Sequence, residues 1–391
     1  MANRVQINAG MIYTPTAVLK NSCVVVNDAG KIQFVGSREK APGDAAKTIQ
    51  ADNLNLSHGF VDIHVHGGYG IGFGIGSKWE EDLVNYSQWV VKTGVTDFLC
   101  SLAAASHKEL CEMLEAYVGF AEKGLPGANL AGIHLEGPYL NPERKGAFNP
   151  AWLRTPNIDE ARDFIRIGGK WLKQMTMAPE LPGALEVAAE FRRAGLTVAL
   201  GHSNTDYDTA REALKGDFTH VTHTFNAQTG LDHRKPGVVG AVMSSDEITG
   251  ELIADGIHVN EGAMRVLLRN LGSQRVVLIT DAIPGAGLPD GVYSSIGQTI
   301  IVKDGRATLE NGTLAGSAAL MNHCVRNAHT LAGATVQEAI RMSTFNPARA
   351  VHMEGNLGLV ATGRKADLIL LDDDFNVHMT MVNGKIIHTD L

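Results

Sequence analysis

Six side chains able to bind metal ions or move protons fall at matching places along the chain. His64 and His66 stand two apart in GFVDIHVHG. On an extended strand both rings leave the same face and can reach one ion or a shared pair of ions. Two core histidines with hydrogen-bonded rings would give the same HVH pattern. Glu136 ends LAGIHLE, His202 follows LTVALG, His223 lies in FTHVTHTFN and Asp281 follows RVVLIT. Each alone has a structural reading, as a loop cap or the neighbour of one. Together, four imidazoles and two carboxylates form a donor set that zinc, iron, manganese or cobalt accepts, and such an ion acidifies water to near neutrality.

The segments that must position these groups are short and apolar: residues 59–67, 95–101, 130–138, 174–180, 196–203, 218–226, 250–258 and 275–282. They alternate with helical stretches such as DTAREALKG. Eight such units predict an α/β fold, a closed parallel (β/α)8 TIM-like barrel whose reactive groups collect at the C-terminal ends of the strands. Residues 1–55 read instead as short alternating strands, with a turn at Asp28–Gly30, and the C-terminal segment repeats that character around Asn383–Gly384. NDAGKIQFVG and VNGKIIHTD look alike. The expected organisation is therefore a small β-sandwich domain from both chain ends (1–55 and 353–391) around a hydrolase barrel (56–352).

His134 shares a strand face with Glu136 and is expected either behind the ligands or as a satisfied interior residue. His58, His107, His220, His323, His329, His352, His378 and His388 read as structural or solvent-facing. The run GGYGIGFGIGSK at 67–78 follows a strand, as a phosphate loop does, but lacks both GxxxxGK[ST] order and GxGxxG spacing, so it reads as a mobile loop.

Composition limits the partners. The 391 residues carry a net charge of −8 and are 44% hydrophobic and 19% charged, which gives no electrostatic footprint for nucleic acid or an anionic membrane. No window approaches the ~18 apolar residues of a membrane span, and the N-terminus has no signal-peptide core. Cys23, Cys100, Cys111 and Cys324 form no CxxC pair and are expected as reduced core thiols. A cytoplasmic protein binding a small ligand is expected.

With these residues in place, the chain resembles the amidohydrolase superfamily. More narrowly, HLEGPYLNPERKGAFNP, GHSNTDYD, THTFNA, HRKPG, ADGIHV, ITDA and GTLAGS resemble the N-acetylglucosamine-6-phosphate deacetylases in order and spacing. STFNPARAVHMEGNLGLVATGRKADLILLD resembles the C-terminal signature of the wider superfamily. The resemblance implies Glu136, His202 and His223 as primary metal ligands and Asp281 as general acid and base. It places a second metal at His64 and His66, giving one or two divalent ions per subunit, with zinc favoured over iron, manganese or cobalt. It implies substrate contacts from Ala147, Asn226, Ala227, Arg234, His258, Leu314, Ala315 and Gly316, and a homodimer in which the phosphate-binding arginine can come from the partner subunit. Two positions depart from the family pattern: Phe148 where a histidine is usual, and Gln228 where a methionine is expected.

The reaction so implied begins with a water activated by the metal, its proton passing to Asp281, and ends with that proton on the departing sugar amine. His134 is a further expected support for the oxyanion. Three rivals follow. A related N-acetylhexosamine such as N-acetylgalactosamine 6-phosphate would use the same site. A dihydroorotase-like or aminoacylase-like enzyme for unphosphorylated amides would want a lysine on the fourth strand, where Lys173 comes too early. A silent sugar-phosphate sensor would not need Asp281.

Overall fold

The computed structural model describes residues 4–43, 45–295 and 298–391. Eight strands, Phe60–Val65, Val95–Ala103, Asn129–Glu136, Leu172–Met177, Thr197–Leu200, Phe218–Val221, Thr249–Ile253 and Val276–Ile279, lie side by side in sequence order as one sheet. These are barrel strands 1 to 8, and each neighbouring pair is parallel. Helices cover the outside, which is why the strands are apolar on both faces. In His107–Lys123, for example, Leu110, Met113, Leu114, Tyr117 and Ala121 are buried at helical spacing, and Ser106 with Glu109 closes a capping box at its start.

The ring closes between strands 8 and 1. Asp281 N–H donates to the His64 carbonyl at 2.9 Å, and His66 N–H to that of Ala282 at 2.8 Å. Asp62, fully buried, accepts the Thr280 hydroxyl at 2.6 Å and the Thr280 N–H at 3.3 Å; burial pushes its carboxyl up to about 7. The seam of the barrel is thus the place where His64, His66 and Asp281 meet.

The chain ends form one continuous seven-stranded sheet. Its spatial order is Lys385–Thr389, Val377–Val382, Leu368–Leu371, Lys47–His58, Val5–Tyr13, Val18–Val26, Ile32–Ser37. Only the Val5–Tyr13 and Lys47–His58 pair is parallel. The expected sandwich arises by curling: Ala366 N–H donates to the Gly30 carbonyl and Gly384 N–H to that of Ala366, both at 2.9 Å. The two look-alike turns therefore pack against each other. Gly30 has a φ of +69°, and a Cβ there would sit 2.2 Å from the Asn383 oxygen. Ile7, Val24, Leu56, Leu368 and Met379 fill the space inside.

Between strand 8 and the helix Met321–Thr330 the chain inserts a three-stranded antiparallel sheet, Gly291–Ser295, Gln298–Lys303 and Arg306–Thr308. The sequence reading did not anticipate it. Ile300 and Val302 of this sheet pack against Ile283 and Ala315, which brings it to the rim of the barrel.

The curled sheet meets the barrel through buried polar groups. His58 donates from Nδ1 to the Gly59 carbonyl at 2.7 Å and accepts the Gly358 N–H at Nε2, 3.1 Å. Beside it Asp97 accepts from Thr96 and Asn129, and Asp367 accepts the Asn383 N–H. Asp367 Oδ2 has no partner among the described residues. Burial and then the facing Asp367 push Asp97 up to about 8, against the hydrogen bonds from Thr96 and Asn129 and the charge of Lys365. A carboxyl raised in the folded chain holds its proton there while the unfolded chain has already lost it, so this group's stabilisation falls as pH rises from about 4 to about 8. Asp97→Asn removes that slope: its thermal midpoint relative to the parent should rise between pH 5 and pH 8.5 in scanning calorimetry. A difference that stays flat across this range would contradict a raised Asp97 carboxyl.

Candidate metal centre and substrate pocket

Each group singled out by its spacing stands at the C-terminal rim. His64 lies on strand 1 with His66 just beyond it, Glu136 ends strand 3, and His202, His223 and Asp281 each follow their strand by two residues. Those last three have φ values of +48°, +28° and +50°. Left-handed backbone at non-glycine residues is costly and persists where the surrounding structure fixes it. Here it turns three side chains back over the barrel mouth.

Glu136 joins two clusters. Its Oε1 lies 3.1 Å from both His202 Nε2 and His223 Nε2, which are 3.0 Å apart. Its Oε2 lies 2.9 Å from His66 Nε2. His64 Nε2 is 3.3 Å from His66 Nε2, and Asp281 Oδ1 is 3.6 and 3.5 Å from those two nitrogens. All six residues are buried, Asp281 being the most open at 8%.

The outer ring nitrogens decide what the inner ones can be. His64 Nδ1 donates to Glu251 Oε2 at 2.9 Å, His66 Nδ1 to the Ser101 carbonyl at 3.1 Å, and His202 Nδ1 to the Arg144 carbonyl at 2.7 Å. In neutral imidazoles so placed, Nε2 carries a bare lone pair. Three such lone pairs and two carboxylates then face one another with no hydrogen between them. Two groups of atoms, His64–His66–Asp281 and Glu136–His202–His223, converge closely enough to hold a cation each. Without a cation, protons must do the same work. Burial opposes a charge on His64, yet Glu136, Glu251 and Asp281 raise its pKa well above the usual histidine range. His64, with hydrogen bonds from His202 and His223, holds Glu136 well below the usual carboxylate range against burial. The residues present fit divalent metal.

His134 packs edge-to-face beneath His64, with ring centroids 4.7 Å apart. Its ring nitrogens engage Ser101 Oγ and Thr176 Oγ1 at 2.9 and 2.8 Å, and burial followed by the His64 charge lowers its pKa well below the usual range. It is fully enclosed and does not line the pocket. It therefore cannot reach an oxyanion there, which corrects that expectation.

A cavity of about 360 Å³ opens beside the cluster. Ala147, Asn226, Ala227, His258 and the Leu314–Gly316 segment line it. Arg234 does not: it sits on an exposed turn with its N–H on Asp232 Oδ1. Phe148 lines the wall with its ring edge-on to His202, centroids 5.1 Å apart, and so offers no hydrogen bond there. Gln228 is buried, its amide donating to the Thr222 carbonyl, and is away from the cavity. The glycine run 67–78 contains a short ladder, Gly67–Gly68 against Ile71–Gly72, and lies outside this cavity.

The sequence reading missed three contributors. Arg144 lines the cavity with its Nε on Asn204 Oδ1 at 2.8 Å, and Gln298 reaches it from the inserted sheet. Glu251, fully buried on strand 7, accepts from His64, His223 N–H, His220 and Gln174. Its one available signal was a charged residue inside the apolar run GELIADG.

A model of the amidohydrolase family matches residues 56–387. The chain is 33% identical over 390 residues to N-acetylglucosamine-6-phosphate deacetylase of Bacillus subtilis (strain 168), covering 99% of this chain and 98% of that protein. It is 34% identical over 331 residues to N-acetylgalactosamine-6-phosphate deacetylase of Escherichia coli O157:H7, covering 85% and 87%. Among solved structures, N-acetylglucosamine-6-phosphate deacetylase from Pasteurella multocida superposes with a TM-score of 0.92 at 31% identity over 98% of this chain and 99% of that one. A mutant of the Mycobacterium smegmatis enzyme, solved in complex with N-acetyl-D-glucosamine-6-phosphate, gives 0.92 at 31% over 99% and 100%. The chain belongs to the amidohydrolase family and, within it, to the N-acetylglucosamine-6-phosphate deacetylases.

Proposed function

We propose that this protein hydrolyses the acetamide of N-acetylglucosamine 6-phosphate to glucosamine 6-phosphate and acetate, as a step in amino-sugar catabolism. The observation that carries the reading is Glu136 shared between two buried ligand groups, with Asp281 on the cavity side and His258 in the same cavity. Glu136, His202 and His223 would hold a first divalent ion, and His64 and His66, with Asp281 beside them, a second; zinc suits the donors best, with iron, manganese and cobalt as alternatives. Such an ion polarises an amide carbonyl and acidifies water.

The chain's own residues supply the rest. Asp281 takes a proton from the attacking water and returns it to the leaving nitrogen, so one carboxylate serves as base and then as acid. The phosphate lies toward His258, whose Nδ1 is 2.7 Å from Asp255 Oδ2. Burial works against a charge there, but Asp255 raises the His258 pKa. Its other nitrogen is thereby suited to donate to an anion. The Ala147, Asn226–Ala227 and Leu314–Gly316 segments shape the sugar site.

Arg234, exposed on the turn after Asn226–Ala227, completes the phosphate site of the partner subunit in a homodimer. The functional units divide at residues 1–55 with 353–391 and at 56–352. Four free thiols, three of them buried, fit a cytosolic enzyme. The relative named for N-acetylgalactosamine 6-phosphate, at 34% identity, favours that epimer as the second reading.

Asp281→Asn should lower kcat by roughly 10²–10⁴-fold, the range for a general acid-base group, in an acetate-release assay. A variant within tenfold of the parent would remove Asp281 from that role. With phosphorylated and unphosphorylated N-acetylhexosamines compared side by side, the phosphorylated sugar should have the higher kcat/KM by at least ~10-fold, and His258→Leu should shrink that ratio. An equal specificity constant for both sugars would refute the phosphate assignment.

A further inference from the structure

We propose that Glu251 is a positioning residue that makes the His64–His66–Asp281 corner able to hold its cation. The inference rests on reading that corner as a metal site. The Glu251 side chain is fully buried and touches no part of the cavity. Gln174 Nε2 on strand 4 and His220 Nε2 on strand 6 fix its Oε1 at 2.9 and 3.1 Å. That leaves Oε2 pinned against His64 Nδ1 at 2.9 Å and His223 N–H at 3.0 Å.

The chemical consequence lies in the His64 tautomer. With a carboxylate oxygen on Nδ1, the neutral ring carries its hydrogen there and presents a bare Nε2 to the corner. If that acceptor is removed, the hydrogen is better placed on Nε2, where Glu136 Oε1 and Asp281 Oδ1 stand 3.5 and 3.6 Å away as acceptors. The ring then becomes a donor within the cluster, and the position a cation needs is filled by a hydrogen. The second ligand group depends on Glu251 less directly: the His202 ring is set by the Arg144 carbonyl, and Glu251 meets His223 only through its backbone N–H.

Zinc titration by calorimetry, with metal content per chain measured after dialysis, tests this. The parent protein should bind two equivalents. Glu251→Leu should weaken the second equivalent by roughly 10–100-fold, the range for losing an outer partner of a ligating histidine, and weaken the first less, because His223 loses only a backbone hydrogen bond. Glu251→Gln, which keeps an acceptor oxygen for His64, should recover most of that loss. In a His64→Ala background, Glu251→Leu should have no further effect on the second equivalent, an outcome that a merely structural role would not produce. Gln174→Leu loosens Glu251 without removing it; it should weaken the same equivalent by a few-fold, and it carries the test if Glu251→Leu does not fold. Unchanged binding in Glu251→Leu or Gln174→Leu, or equal losses in the Leu and Gln variants, overturns the proposal alone. A parent that binds no zinc overturns the metal reading as well.

Discussion

Everything at the mouth of this barrel depends on one buried carboxylate surrounded by imidazole nitrogens. Glu136 is 2% exposed, and three histidine Nε2 atoms lie within 3.1 Å of its two oxygens. Taking such a group out of water is costly unless positive charge compensates it. The carbonyls of Ser101 and Arg144 and the carboxylate of Glu251 each hold the far nitrogen of a ring. The cluster is thus prepared for cations, and in their absence it holds protons.

The scaffold serves this arrangement at several distances. Parallel strands bring their C-terminal ends to one rim, so residues far apart in sequence, such as His64 and Asp281, meet across the closing seam. Left-handed backbone at His202, His223 and Asp281 turns the side chains inward. Beneath them Ser101, His134, Thr176 and Thr222 form a continuous chain of short hydrogen bonds. Above, the inserted sheet and the 144–148 segment are tied by the Gln298 amide donating to the Ala147 carbonyl. At the opposite face the curled sheet joins through His58, Asp97 and Asp367, away from the chemistry.

The barrel was legible because its strands are buried on both faces, and near-continuous apolar runs between helical patterns have few other uses. The six rim residues were legible because strand ends are where a barrel places chemistry. Other features left weaker traces. Glu251 looks like any single charge in an apolar run until strands 1, 4 and 6 close around it. Arg144 lies in a loop whose path no periodicity encodes, and the inserted sheet is too short to stand out. His134 was ambiguous for the opposite reason: its face was predictable, but the capture of both ring nitrogens by hydroxyls depends on strands 2 and 4. Both chain ends read as β, whereas their joining into one curled sheet depends on Gly30 and Asn383 meeting across more than three hundred residues.

Glu136, His202 and His223 converge for a cation. Anomalous diffraction at the zinc edge, from crystals of the full chain grown with zinc, measures this directly. A peak is expected about 2.0–2.2 Å from one Glu136 oxygen and from His202 Nε2 and His223 Nε2. No peak at that position, or ordered zinc only at His58, Asp97 and Asp367, would contradict a cation site there.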